Sequence, residues 1–227
     1  MATNGDNRST DRAPGALPGK TDGFCADPDV AAVRLVLGGA RCGKSGHAER
    51  LAAVWREAAP NRRVIYVATA TTGDAEMVRR IEHHQARRPA DWGLVESPLM
   101  LAEALCAASR PDTLLLVDCL TLWLSNLIFS GQAASQAEAG QPIDCALLTG
   151  QLEALRLTLR RLPGPVVLVS NEVGWGIVPM GAVSRLFVDE QGRLNQRIAA
   201  LADQVTLVVA GLPLVLKGPP GGVVSGG

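Results

Sequence analysis

The chain has 227 residues, enough for one domain with a full hydrophobic core, and 47% are apolar against 19% charged, which excludes a largely disordered protein. Its 22 basic and 22 acidic side chains cancel, so there is no bulk positive charge with which to hold nucleic acid. The five cysteines (Cys25, Cys42, Cys106, Cys119, Cys145) are odd in number and form no CxxC pair, which excludes a disulfide framework or zinc ribbon and points to the reducing cytoplasm.

Residues 1–32 are rich in Gly, Pro, Asp, Asn and Thr, show no hydrophobic period, and lack the apolar run of a secretory signal; they read as a flexible tail. From there, short aliphatic runs alternate with helical patterns. Strand 34–37 leads into helix 45–58, strand 64–68 into helix 74–88, and strand 94–96 into helix 99–108. Strand 114–117 precedes helix 121–129, and a loose stretch at 131–142 reads as a loop before helix 145–162. Strand 166–170, helix 193–202, strand 205–209 and a candidate last strand at 214–217 complete a body over 33–217, and 218–227 reads as a second tail. Strand runs without alternation fit strands covered on both faces, and the βαβα rhythm predicts an α/β fold, a mostly parallel sheet flanked by helices. Ligands of such sheets sit beyond the carboxyl ends of the strands, so polar residues just after strands are the candidates for a site.

The run from Thr113 to Gly131 is long enough to cross a bilayer and carries one charge, Asp118. A carboxylate at mid-span costs about 2.5–3.5 kcal/mol on insertion scales, and no basic cluster closes either end. A buried strand, a polar turn and an apolar helix account for the same residues, so no membrane span is expected.

The first strand runs into Gly38, Gly39, Ala40, Arg41, Cys42, Gly43, Lys44 and Ser45, which satisfies GxxxxGK[ST] in full. Glycines let backbone N–H groups curl around a phosphate, and the following helix adds its positive end. Lys44 would reach the β- and γ-phosphates and Ser45 would offer its hydroxyl to Mg²⁺. The chain has three lysines, Lys20, Lys44 and Lys217, and only Lys44 lies away from the loose ends, which argues against a mere solubilising role. An acid closing an apolar strand is the usual partner near the metal, and Asp118 after Leu114–Val117 fits. Asp118 could instead cap the next helix, and the two roles are compatible if the metal contact runs through water.

His83 and His84 lie inside the 74–88 pattern, where His84 shares a helical face with Arg80 and Arg88. An imidazole between two guanidiniums resists protonation, and a neutral imidazole beside phosphate-binding arginines suits a nucleophile that attacks phosphorus. A solvated pair or a metal-binding pair is the plainer alternative. His47, just after the P-loop, reads as an ordinary helix residue.

GGARCGKSGHAE (38–49), YVATA (66–70), DAEMVRRIEHHQARRP (74–89), LLVDCLTLWLSNL (115–127), SNEVGWGIVP (170–179) and GRLNQRIAALADQVTLVVAG (192–211) together resemble the bifunctional adenosylcobinamide kinase / adenosylcobinamide-phosphate guanylyltransferase family of cobalamin biosynthesis. The resemblance runs from about Val33 to Lys217. It implies a P-loop NTPase fold of RecA-like architecture and two reactions. In the first, a nucleoside triphosphate, ATP or GTP, phosphorylates the aminopropanol hydroxyl of adenosylcobinamide. In the second, a histidine takes GMP from GTP and passes it to the cobinamide phosphate. It assigns His84 as the guanylylated residue and sets Ala70, Thr71, Thr72, Gln85, Ala86, Arg87 and Arg88 against the nucleotide. Glu96 and Asp118, each closing a strand, match the family's guanine- or metal-contacting acids. A homo-oligomer, a trimer, is also implied. Cys42 stands where relatives often carry serine, with its side chain expected to face away from the phosphates, and Gln85 stands where a lysine is common. Glu172 could assist the kinase step or contact the corrinoid, or Asn171–Gly174 could be a structural turn. Beside this reading stand two others, a P-loop kinase for a different hydroxyl substrate and a nucleotide-dependent switch.

Overall fold

The computed structural model describes Met1, residues 32–71 and residues 89–218; the stretches 2–31, 72–88 and 219–227 lie outside the described residues. Seven strands, β1 (Val33–Gly38), β2 (Arg63–Ala68), β3 (Gly93–Glu96), β4 (Thr113–Asp118), β5 (Val166–Asn171), β6 (Gln204–Val209) and β7 (Leu212–Lys217), form one sheet in the order β3-β2-β4-β5-β1-β6-β7. Every pairing is parallel except β6 with β7, a hairpin that adds one antiparallel edge. The sheet carries α1 (Lys44–Glu57), α2 (Leu101–Ala108), α3 (Leu120–Ser130), α4 (Ala133–Glu138), α5 (Ala146–Leu159) and α6 (Ala182–Leu201). This is the mostly parallel α/β arrangement expected from the strand runs.

Both faces of the central strands are buried, which explains the absence of alternation in their sequences. Val33, Leu35 and Leu37 of β1, Leu115 and Val117 of β4, and Val166 and Leu168 of β5 face one core. That core is completed by Leu101 and Leu105 of α2, Trp123, Leu124 and Leu127 of α3, Leu152 and Leu155 of α5, and Leu194 and Ile198 of α6. The intervening residues Val36, Leu114, Leu116, Val167 and Val169 face the other core, against Ala48, Ala52 and Trp55 of α1. The two alanines let α1 lie close on the sheet, so the residues that open it are held tightly over the end of β1.

Three expectations need correction. The 131–142 stretch is not all loop, because α4 occupies its centre; Ala133 and Ala137, one turn apart, are buried, and a helix this short lacks a periodic apolar stripe in the sequence. The last long helix begins at Ala182 and not at 193; its first half is only partly buried, and fully buried residues appear from Gln191 onward. Between β4 and α3 there is no polar turn but a single buried residue, Cys119. Among the described residues no helix is long and apolar enough to cross a membrane.

Candidate active site

The loop after β1 has the shape of an anion cradle. Gly38 leaves the strand so closely packed that an added Cβ would sit 2.5 Å from both the Val208 carbonyl oxygen and Cys42 Sγ. Gly43 caps α1 with φ 98° in the left-handed region, where an L side chain would be strained. Arg41 also has positive φ, at 56°, so the backbone curls between the two glycines. Lys44 is buried at 8% exposure, and its Nζ donates to the Gly39 carbonyl at 3.1 Å, which holds the ammonium across the loop. Ser45 follows it on the first turn of α1. Cys42 packs its side chain against Gly38 and the core beneath α1. Gly211, in the β6–β7 turn, donates its N–H to the Cys42 carbonyl at 2.8 Å and props the loop from outside.

Strand order sets the distances to the acids. β5 lies between β1 and β4, so Asp118 ends two strands from Gly38, about 10 Å along the sheet. Tyr66 of β2 donates its hydroxyl to Asp118 Oδ2 at 3.2 Å. Burial, and then the neighbouring carboxylate, push the Tyr66 hydroxyl well above its ordinary range, so it stays a neutral donor. Asp118 does not cap α3: the N-cap position is Cys119, without a side-chain cap bond. The Cys119 thiol is pushed up to about 11 by burial and by Asp118, which keeps it protonated and unreactive at neutral pH. Glu96 closes β3, four strands from β1 or about 19 Å, and is exposed.

The loops after β2, β3 and β4 are tied into one rim. Thr69 Oγ1 donates to the Cys119 carbonyl at 2.7 Å and accepts from the Cys119 N–H at 2.9 Å. Asn126 of α3 donates to the carbonyls of Thr69 (2.8 Å) and Pro98 (3.0 Å), and Trp123 Nε1 donates to Leu99 O at 2.8 Å. Ala70 and Thr71 leave this rim at the carboxyl edge of the sheet. His84, Thr72 and Gln85, Ala86, Arg87 and Arg88 lie outside the described residues.

A polar group at the end of β5 went unassigned in the sequence apart from Glu172. Ser170, Gln191 and Asn195 are buried and joined by hydrogen bonds, and Asn195 Nδ2 donates to Glu172 Oε1 at 3.0 Å. The readable signal was the Gln191/Asn195 pair, two amides one turn apart on the face that also carries Leu194 and Ile198.

Comparison with known proteins places this geometry. A family model described as cobinamide kinase / cobinamide phosphate guanyltransferase matches residues 34–216, most of the chain. The chain belongs to this family. The bifunctional adenosylcobalamin biosynthesis protein CobP of Pseudomonas aeruginosa is 50% identical over 186 residues, covering 82% of this chain and 98% of that protein. The proteins of the same description called CobU in Escherichia coli and Salmonella typhimurium are 40% and 41% identical, over 81% of this chain and 98% of each relative. Among solved structures, the flagellar accessory protein FlaH of Methanocaldococcus jannaschii aligns with 82% of this chain and 78% of its own at 12% identity and a TM-score of 0.46, too loose to carry an argument. In this member of the family, the P-loop and the acids at the ends of β3 and β4 lie on one edge of the sheet.

Proposed function

We propose that this chain is a bifunctional enzyme that phosphorylates the aminopropanol hydroxyl of adenosylcobinamide and then guanylylates the product. The observation that carries the reading is a complete P-loop, with its lysine buried across the loop, in a chain matched from 34 to 216 by the family model and aligned with 98% of CobP. Loop N–H groups and Lys44 bind the triphosphate in the kinase step and favour the charge that develops as the γ-phosphoryl group leaves. In the second step His84 attacks the α-phosphorus of GTP, pyrophosphate departs, and the cobinamide phosphate displaces the histidine to give adenosyl-GDP-cobinamide. Ala70, Thr71, Thr72 and Gln85 to Arg88 line the nucleotide in that step.

The donor set suits magnesium. Ser45 and Asp118 offer hard oxygen ligands, and among the described residues no group of three His, Cys, Asp or Glu could hold a metal ion. Mg²⁺ is commonly bound by one or two protein oxygens together with substrate phosphates and water, so this sparse set fits it. Ser45 and Asp118 would hold the ion, which would neutralise phosphate charge. We further place the enzyme in the cytoplasm as a homotrimer; the free thiols of Cys42, Cys106, Cys119 and Cys145 support the compartment.

The test is incubation with α-labelled GTP and Mg²⁺. Wild type acquires a base-stable, acid-labile label, and His84→Ala acquires none while still phosphorylating cobinamide. A wild type that never takes up label overturns the guanylylation half, and loss of both activities in a folded His84→Ala protein overturns the division of labour.

A further inference from the structure

Of the strand-closing carboxylates among the described residues, only one sits on the strand next to the P-loop. Glu172 follows β5, the immediate neighbour of β1, and its backbone N–H donates to the carbonyl of Gly38, the first glycine of the loop, at 3.1 Å. One parallel-strand spacing is about 5 Å, half the offset of Asp118 and a quarter of that of Glu96. The half-buried side chain is aimed by a network that has no other evident purpose. Asn195 Nδ2 donates both to Glu172 Oε1 (3.0 Å) and to the Asn171 carbonyl (2.9 Å). Its amide cannot turn over without losing bonds, because Asn195 Oδ1 accepts from Ser170 Oγ (2.7 Å) and Gln191 Nε2 (3.1 Å). Gln191 also donates to Ser170 Oγ at 2.9 Å. Ser170 and Gln191 are fully buried and Asn195 is 5% exposed. Three buried polar side chains in an otherwise apolar layer are costly unless satisfied; Gln191 Oε1 has no partner among the described residues, and the bonds that are made end at one carboxylate oxygen. Oε2 of Glu172 has no hydrogen-bond partner among the described residues.

We infer that Glu172 is the carboxylate that receives the acceptor hydroxyl in the kinase step, with Asn195 and Gln191 as positioning residues; this rests on the kinase reading above. The acceptor oxygen forms its bond to the γ-phosphorus as the bond from phosphorus to the β–γ bridging oxygen breaks. The nucleoside diphosphate leaves with that electron pair, and the hydroxyl proton passes to Glu172 and then to solvent. Asp118 is already engaged by Tyr66 and lies a strand further away, so it serves the metal side of the triphosphate. The short loop from Val173 to Gly181 leaves Trp175, Ile177, Val178 and Met180 exposed directly after Glu172, so the acceptor side of the site is open to a large substrate.

Steady-state phosphorylation of cobinamide and single-turnover GMP labelling, measured on the same full-length preparations, test the assignment. Glu172→Gln preserves the Asn195 bond and is expected to fold as wild type. It lowers kcat of phosphorylation by roughly 10²-fold while the KM for nucleotide and the GMP label stay within twofold. Asn195→Ala lowers the same kcat by roughly tenfold with the nucleotide KM unmoved, a split that loss of folded protein would not produce because labelling would fall in parallel. Glu172→Gln with wild-type phosphorylation overturns the assignment alone. A wild type that labels with GMP yet never phosphorylates cobinamide overturns the kinase reading and this assignment with it. If Asn195→Ala lowers labelling and phosphorylation equally, its positioning role is overturned while Glu172 stands or falls on its own variant.

Discussion

His47 shows how a residue beside the loop can govern stability without touching the chemistry. It is 7% exposed on α1, and its pKa falls to about 4, first through burial and then through the charge of Arg50. Folding therefore favours the neutral ring, whereas the unfolded chain binds a proton near the ordinary value of about 6.5. The unfolded state holds more protons between these two values, so this contribution to stability is complete above about 6.5 and is lost as the pH falls toward about 4. Urea midpoints measured across that window should decline more steeply for wild type than for His47→Gln, which has no ring to protonate. Parallel curves would mean that His47 titrates normally in the fold. Lys44 and Lys217 illustrate two uses of a scarce residue. The first reaches across the P-loop, and the second donates to the carbonyls of Ala199 and Ala200 at 3.0 and 3.1 Å, closing the carboxyl end of α6.

At the scale of elements, the β6–β7 hairpin supports the cradle. Its two-residue turn, Ala210–Gly211, has positive φ at both positions, 51° and 81°, the backbone that suits the twist of paired strands. The same turn delivers the Gly211 N–H to Cys42. Alanine is poorly suited to left-handed backbone, whereas asparagine tolerates it. Ala210→Asn is therefore expected to stabilise the protein by about 0.5–1 kcal/mol, seen as a rise of roughly 1–4 °C in Tm with both activities retained. An unchanged or lowered Tm would show that the turn contributes nothing through its backbone preference. α3 has a comparable role on the other side of the edge, where Asn126 and Trp123 hold three loops that share no sequence neighbourhood. These ties were illegible in the sequence. The apolar run at 121–129 announced a buried helix, yet nothing in it says which distant carbonyls one asparagine will meet.

Across the whole molecule, strand order divides the carboxyl edge into two regions. β1 and β5 carry the P-loop and Glu172, and β2 and β3, joined by residues 69–92, carry Ala70, Thr71 and Glu96. Glu96 stands about 19 Å from the P-loop strand, beyond the reach of a side chain acting on the γ-phosphate. We therefore propose that it serves guanine recognition in the histidine-dependent step. Glu96→Ala is expected to raise the GTP requirement for labelling at least tenfold while leaving phosphorylation by ATP within twofold. Equal damage to both steps would merge the two regions into one.

The P-loop, the strand ending at Asp118 and the doubly covered sheet were all legible in the residues, because each depends on chemistry or periodicity within a dozen positions. α4 and the first half of α6 were not, since neither carries a long buried stripe. The relation of the acids to the phosphate cradle was likewise hidden. Gly38, Asp118 and Glu172 lie far apart along the chain, and only hydrogen bonding between strands decides that β5 comes to rest between β1 and β4. Local pattern determined which elements form and where the GxxxxGKS loop lies. The order of the strands, a property of long-range packing, decided which carboxylate stands beside it.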